Sequence, residues 1–415
     1  VKILLWHGYL LAGTGSNVYT QAIARAWTRD GHDVTIFCQE PDPERFDLGG
    51  ASVVRPRLPD RTLPVFVLDR YEGLEPRLLQ DLTPDERRRY VDANAAALAG
   101  HLPADLVFAN HVLPGGAVAA ATGVPFAVKV HGSELEYSIR GRPDLAEEAR
   151  RALEPARAVY VGSGHIREVL EDVVGPVEGV HEVPPGVDVQ EFRPQAREAA
   201  LRSLLDECRR DPPNPGNENE RLPDEGNAER LAHVLSGDRP TVLYFGKLLY
   251  NKGVHLLLEA LHGLDARAVI VGFGDYRGHL EALAPKSVLF TGQLEHRHLV
   301  HLIPLADAVV VPSIFPEAFG MVAAEAASAG CPPIVARHSG LAEVAEGLEE
   351  GYPERLRHLA SFTQGDSVEL QEKLHDLLAL PLGERRALGA AARQVAVERW
   401  AWDGVARRLL EPFLL

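Results

Sequence analysis

Two glutamates, Glu317 and Glu325, stand in the stretch "PEAFGMVAAEAASAG" among small and apolar residues, with no lysine or arginine inside it. A carboxylate in such company needs donors, and a pair of ligand hydroxyls supplies them at roughly 1.5–3 kcal/mol per charge-assisted bond. The plainer alternatives are a first-turn acid complementing a helix dipole for Glu317 and an exposed helix-flank residue for Glu325. In "FGKLLYNKGVHLLLEAL", Lys247 and Lys252 bracket a loop before a helix, with Gly253 beside them. Two cations at a helix start fit a phosphate site as well as two solvated surface lysines. The chain has only six lysines, which makes two here more notable. The loop "GTGSN", Gly13 to Asn17, also leads into a helix. Its exposed amides suit a phosphate or a sugar hydroxyl, or it is a plain turn. It matches neither the dinucleotide glycine pattern nor a P-loop. In "HGSELEYS", His131 falls at a strand end with Glu134 one turn on, while Ser133 followed by Glu136 resembles a capping box.

These residues all follow apolar runs. "KILLWHG", "DVTIFC", "SVVRPRL", "DLVFAN", "FAVKVHG", "AVYVGS" and "HEVPPG" alternate with helical patterns in the first half. "TVLYFG", "ARAVIVG", "SVLFTG", "DAVVVPS" and "PPIVAR" repeat the arrangement in the second. Continuous apolar strands between helices imply parallel sheets covered on both faces. Two such series predict an α/β protein of two doubly wound, Rossmann-like domains, 1–190 and 191–398. In such sheets ligands bind beyond the C-terminal strand ends, so two domains facing each other make a cleft. Residues 209–228, rich in Pro, Asn, Gly and charge, read as a flexible surface loop. The tail 399–415 reads as a helix returning to the first domain, with Trp400 and Trp402 as anchors.

A length of 415 residues exceeds one ordinary core. The formal charge of −16 and the lack of a basic patch argue against nucleic acid and against polybasic membrane docking. No apolar run approaches the ~20 residues of a membrane span, and the N-terminus lacks the pattern of a secretory signal. Cys38, Cys208 and Cys331 have no metal or redox spacing, so a reducing cytoplasm is expected.

The block "SIFPEAFGMVAAEAASAGCPPIVARHSGLAEV" closely resembles the E-x7-E region of retaining glycosyltransferases of family 4 with the GT-B fold. Five further segments match the family in order along nearly the whole chain: "KVHGSELEYS", "VPPGVDVQEFRP", "YFGKLLYNKGVHLLLEAL", "VGFGDYRGHLEAL" and "FTGQLEHRHLVHLIPLADAVVVPS". The resemblance implies that Glu317 contacts the donor sugar, that Glu325 holds the nucleotide ribose, and that Lys247 and Lys252 grip the diphosphate. It places backbone amides around Phe319, Gly320 and Met321 at the helix N-terminus, and the base near Gly272, Gly274 and Leu294. His131 would contact sugar or acceptor from the first domain, and Gly15 would close over the phosphates. The family usually has arginine where Lys247 stands, and lysine lacks the bidentate fork. It also often has paired glycines where Ser339 and Gly340 lie.

The implied activity is transfer of a hexosyl unit from a nucleotide-diphosphate sugar to a small-molecule or glycan acceptor, by front-side attack without a protein nucleophile. No D-x-D pair occurs, so no metal and no other cofactor is expected. A nucleotide-sugar epimerase or phosphorylase of the same architecture is one alternative, and a non-catalytic sugar-binding protein another. The donor base (UDP, GDP or ADP), the sugar, the acceptor and the oligomeric state are not written in the sequence.

Overall fold

The computed structural model of the protein describes residues 1–13, 15–69 and 71–414. Thr14 of the Gly13–Asn17 loop and the last residue of the tail lie outside them, as does Arg70. The chain divides into two compact units, Val1–Gly186 with Trp402–Leu415, and Val187–Ala401. The sequence reading drew the boundary at 190/191.

The first unit carries strands β1 (Lys2–Trp6), β2 (Asp33–Phe37), β3 (Ser52–Val54), β4 (Thr62–Val65), β5 (Glu75–Leu78), β6 (Leu106–Asn110), β7 (Phe126–Lys129), β8 (Ala158–Val161) and β9 (Val180–Glu182). Seven of them form a sheet ordered β3-β2-β1-β6-β7-β8-β9, parallel throughout, while β4 and β5 pair separately. Alternation along β1 explains the two-sided burial: Leu4 and Trp6 enter one core, Ile3 and Leu5 the other. The helix Trp402–Leu410 belongs to the second of these cores through Val405, Ala406 and Leu409. Two buried donors pin it: Trp27 Nε1–H to Ala406 O at 2.9 Å, and Tyr160 O–H to Leu409 O at 2.8 Å. Trp402 is part of this contact and rings against Tyr19. Trp400 is not. It is buried in the second unit, edge-on to Phe319, because a break at Ala401 separates it from the last helix.

The second unit carries β10 (Thr241–Phe245), β11 (Arg267–Val271), β12 (Val288–Phe290), β13 (Ala308–Val311), β14 (Pro333–Ala336) and β15 (Ser361–Phe362), ordered β12-β11-β10-β13-β14-β15 and parallel. Strand order reverses between β1 and β6 in one sheet and between β10 and β13 in the other. Chain connections leave in opposite directions at such points and open a crevice at the C-terminal strand ends.

The segment 209–228 is anchored rather than loose. The Asn214 amide donates to Asn219 O and Pro223 O, and the Asp224 amide N–H reaches Thr291 O at 2.8 Å. The buried Asp224 carboxylate takes a two-point bond from Arg277, at 2.9 and 2.6 Å, with Arg230 at 3.5 Å. Its polar composition hides a small buried network, which composition alone cannot distinguish from solvated chain. Asp224→Ala would remove the two-point bond and leave Arg277 with the more exposed Glu281 carboxylate alone, at 2.8 Å. It is expected to cost about 1.5–3 kcal/mol, read as a drop in the guanidinium chloride midpoint.

Candidate active site

In the second unit, the connections after β10 and β13 meet at the strand-order reversal. Ile314 and Phe315 N–H both donate to Asn251 O, at 3.0 and 3.2 Å, tying the two loops together. Gly253 turns the first loop with φ +68°, and a Cβ there would stand 1.9 Å from Pro312 O. Only glycine allows this approach. It brings Lys252 against Glu317, Nζ to Oε1 at 2.5 Å, from 65 positions away in sequence. Ser313 Oγ donates to the same carboxylate at 2.9 Å, and Glu317 N–H donates to Ser339 Oγ at 2.9 Å. Glu317 therefore has a cationic partner that its own stretch lacks. Both side chains of the pair keep about a quarter to a third of their surface in solvent (26% and 31%), so they stand open to a ligand. Lys247 is exposed, and its ammonium makes no hydrogen bond or ion pair among the described residues.

The helix Met321–Ser328 begins at Gly320, whose φ is +129°. The amide N–H groups of Phe319, Gly320 and Met321 have no acceptor among the described residues. The Phe319 side chain is buried, so only its backbone is available. Glu325 projects from this helix half-buried, not exposed, and its carboxyl makes no hydrogen bond or ion pair among the described residues. Burial pushes that carboxyl up to about 7, against a smaller downward pull from His296. An uncompensated carboxyl of this kind is destabilising in the free protein and is a marker of a binding role. Gly272 and Gly274, beyond β11, lie directly against Gly246 O and Leu248 O, where a Cβ would come within 1.8 and 2.3 Å. The glycines thus let the two loops stack. Leu294 is buried in the core of this unit.

In the first unit, the residues after β1, β6 and β7 form a buried polar cluster. His131 Nε2 is 2.7 Å from Asn110 Oδ1, which assigns the proton to Nε2 and leaves Nδ1 a free acceptor. The His131 N–H and Val112 N–H both donate to Glu134, whose other oxygen meets His111 Nδ1 at 3.2 Å. Burial pushes the Glu134 carboxyl up, but His111 and the amide donors outweigh this and hold it below the ordinary carboxylate range. Glu136 pairs instead with Arg140, so the capping box expected from Ser133 and Glu136 does not form. Burial, with His111 as neighbour, lowers His131 well below the usual imidazole value and His7 to about 3. Both rings are neutral at physiological pH. Lys129 is buried too, lowered to about 7, with its Nζ on Val183 O at 2.8 Å. Gly15 is exposed at the start of the helix Gly15–Arg29, and a Cβ there would meet nothing within 4 Å. Open space above it is compatible with a ligand approaching the backbone. His7, Asn110 and His111 were not singled out in the sequence, although the strand-end rule that found His131 applies to each.

Metal-ligating types come together once among the described residues, where donor atoms of Cys208, Asp211 and His298 lie within 4.8 Å of one another. His298 Nδ1 accepts the Glu295 N–H at 3.1 Å, so Nε2 keeps its proton and donates to Asp211 Oδ1 at 2.9 Å. Arg297 takes the same oxygen at 2.5 Å, and burial pushes the Cys208 thiol up to about 12. A protonated imidazole nitrogen, a thiol and a guanidinium make this an ion-pair knot, poorly suited to a cation.

The family model described as Glycosyltransferase Family 4 matches residues 13–191, and that described as Glycosyl transferases group 1 matches residues 227–395. The D-inositol 3-phosphate glycosyltransferase of Xylanimonas cellulosilytica is 28% identical over 430 residues, covering 96% of this chain and 91% of that protein. A glycosyltransferase structure from Rickettsia africae superposes with a TM-score of 0.70 at 16% identity, covering 99% of this chain and 97% of that one. The Anabaena HepE protein, solved with UDP and glucose, gives 0.66 at 17% identity, covering 99% and 98%. These structural likenesses establish the fold, two Rossmann-like units of the GT-B architecture.

Proposed function

Because the chain belongs to glycosyltransferase family 4, with a group 1 glycosyl transferase module in its second unit, we propose that it moves a hexosyl unit from a nucleotide-diphosphate sugar to a small polar acceptor with retention of configuration. The observation that carries this reading is the Lys252–Glu317 pair at the strand-order reversal, with the unpartnered Glu325 carboxyl on the helix that follows. In this reading the diphosphate displaces the Lys252–Glu317 contact. Lys252 and Lys247 then turn to the phosphate oxygens, and the free amides at Phe319, Gly320 and Met321 join them. Glu317, released, accepts hydroxyls of the sugar, and Glu325 accepts those of the ribose. Gly272, Gly274 and the backbone at Leu294 form the edge against which the base lies. Gly15 lets its backbone approach the phosphates. The C1–O bond to the diphosphate breaks as the acceptor oxygen bonds C1 on the same face, and the acceptor proton passes to the departing phosphate oxygen. His131, neutral and held by Asn110, offers Nδ1 to a sugar or acceptor hydroxyl. Fixed cations and amides carry the leaving-group charge without a metal ion. The UDP and glucose bound by the Anabaena protein support the donor class.

The test is a panel of UDP-, GDP- and ADP-sugars with mixed polyol and sugar acceptors, chelator present. The expected result is acceptor-dependent nucleotide release and a product whose anomeric configuration, read by NMR, matches the donor. Donor interconversion without acceptor would instead mark an epimerase. Sugar transfer dependent on inorganic phosphate would mark a phosphorylase, and binding of free sugar without any turnover a binding protein.

A further inference from the structure

A second polar site lies on the first unit, beyond the C-terminal ends of β2 and β3. It is a cavity of about 690 Å³ lined by Gln39, Arg55, Arg57, Asp60 and Arg61, with Gly73 and Leu74 on its far side. In a chain of net charge −16, three guanidinium groups around one pocket need an explanation. Nearby acids neutralise only part of the charge. Asp60 is taken by Arg89 at 3.2 Å, and Arg61 reaches Glu75 at 3.2 Å. Arg57 makes no hydrogen bond or ion pair among the described residues, and Arg55 meets only the neutral Gln39 Oε1 at 3.4 Å. Gln39 is itself buried and held by its Nε2 donating to Pro56 O at 2.9 Å, so the floor of the pocket is fixed. Asp60 and Arg61 both hold left-handed backbone, φ 53° and 56°, an uncommon pair for non-glycine residues.

The pocket is joined to the polar cluster around His131. Gln39 N–H donates to Tyr9 O at 2.7 Å. The Tyr9 ring stands edge-on to His111 at 5.5 Å, and His111 meets His131 at 4.7 Å. Both sites therefore occupy the same C-terminal edge of one sheet, where ligands of such sheets bind. Building on the transferase reading above, we propose that Arg55, Arg57 and Arg61 hold an anionic group, phosphate or carboxylate, of the acceptor, and so select charged acceptors over neutral ones. Arginine's planar fork suits both anions, and the Arg57 guanidinium is available without first breaking an internal contact, while Arg61 would exchange its exposed Glu75 partner.

The experiment uses the whole protein and an Arg55→Ser/Arg57→Ser double variant. Inorganic phosphate is titrated while the arginine Nε–H signals that vanish in the variant are followed by NMR. Those signals are expected to shift, whereas signals unmoved at tens of millimolar phosphate overturn the proposal. In parallel, matched polyols carrying a phosphate, a carboxylate or neither are offered as acceptors, which separates the two anions. The expected result is transfer to a charged member, with its KM raised roughly tenfold or more in the variant. Acceptor-independent donor hydrolysis should stay unchanged, because neither arginine belongs to the donor residues. Transfer to the neutral member in preference to both charged ones, or an unchanged KM in the variant, overturns it. If no donor is turned over at all, the transferase reading fails while the phosphate titration still decides whether the pocket binds anions.

Discussion

Lys252→Ala is expected to lower kcat/KM for nucleotide-sugar turnover by about 10²–10³-fold, the range seen when one preorganised donor to a developing negative charge is removed. The cation sits where the loops after β10 and β13 are tied through Asn251. Its present partner, Glu317, is 2.5 Å away. Both members of the pair are partly solvated, and exposed pairs contribute only ~0–1 kcal/mol to stability. A large loss of activity with an unchanged melting temperature would therefore report on catalysis and not on folding. Lys252→Arg keeps the charge on a longer, planar head and is expected to restore part of the rate. Steady-state nucleotide release measures all of this. A loss of less than tenfold in Lys252→Ala would remove the ammonium from the leaving-group site.

The strands were readable because parallel strands covered on both faces must be apolar along their whole length, and "LVFAN" and "AVVV" are buried at every position. The loops after them stood out as candidate sites for the same topological reason. What could not be read was partnership across the chain. Glu317 looks isolated in its own stretch, because the lysine that meets it comes from a different strand–helix connection. Glu325 looks like a flank residue, because its burial comes from neighbours that helical periodicity does not include. The pairing of β4 with β5 escaped notice because "TLPV" and "EPRL" carry proline and charge, which weaken a strand pattern. The arginine pocket beyond β2 and β3, lined in part by the residues that lead into β4 and β5, was missed with them. Residues 209–228 show the opposite failure, since Arg230 and Arg277, the arginines that hold its buried Asp224, lie outside the segment and its own composition is that of solvated chain.

Replacing Glu325 by glutamine separates binding from stability. Its carboxyl is raised by burial from the ordinary value of 4.5 to about 7, so the folded protein holds this proton more tightly than the unfolded chain does. The sign follows directly: ionising Glu325 destabilises the fold, and stability is lost as pH rises from about 4.5 through 7. Glu325→Gln removes that penalty. It is expected to melt a few degrees above the parent at pH 8 and at the same temperature near pH 4.5. Donor binding should move the other way. Only the ionised carboxylate accepts two ribose hydroxyls, so parent affinity for the donor nucleotide should fall as pH drops from 8 to 6. At pH 8 the glutamine variant should bind about 10–100-fold more weakly and show little of that pH dependence. Calorimetric titration with the nucleoside diphosphate of the active donor, beside thermal melts across pH, gives both readings on one preparation. A variant that is more stable at pH 8 yet binds the nucleotide as tightly as the parent would leave Glu325 a merely buried acid, with the ribose held elsewhere.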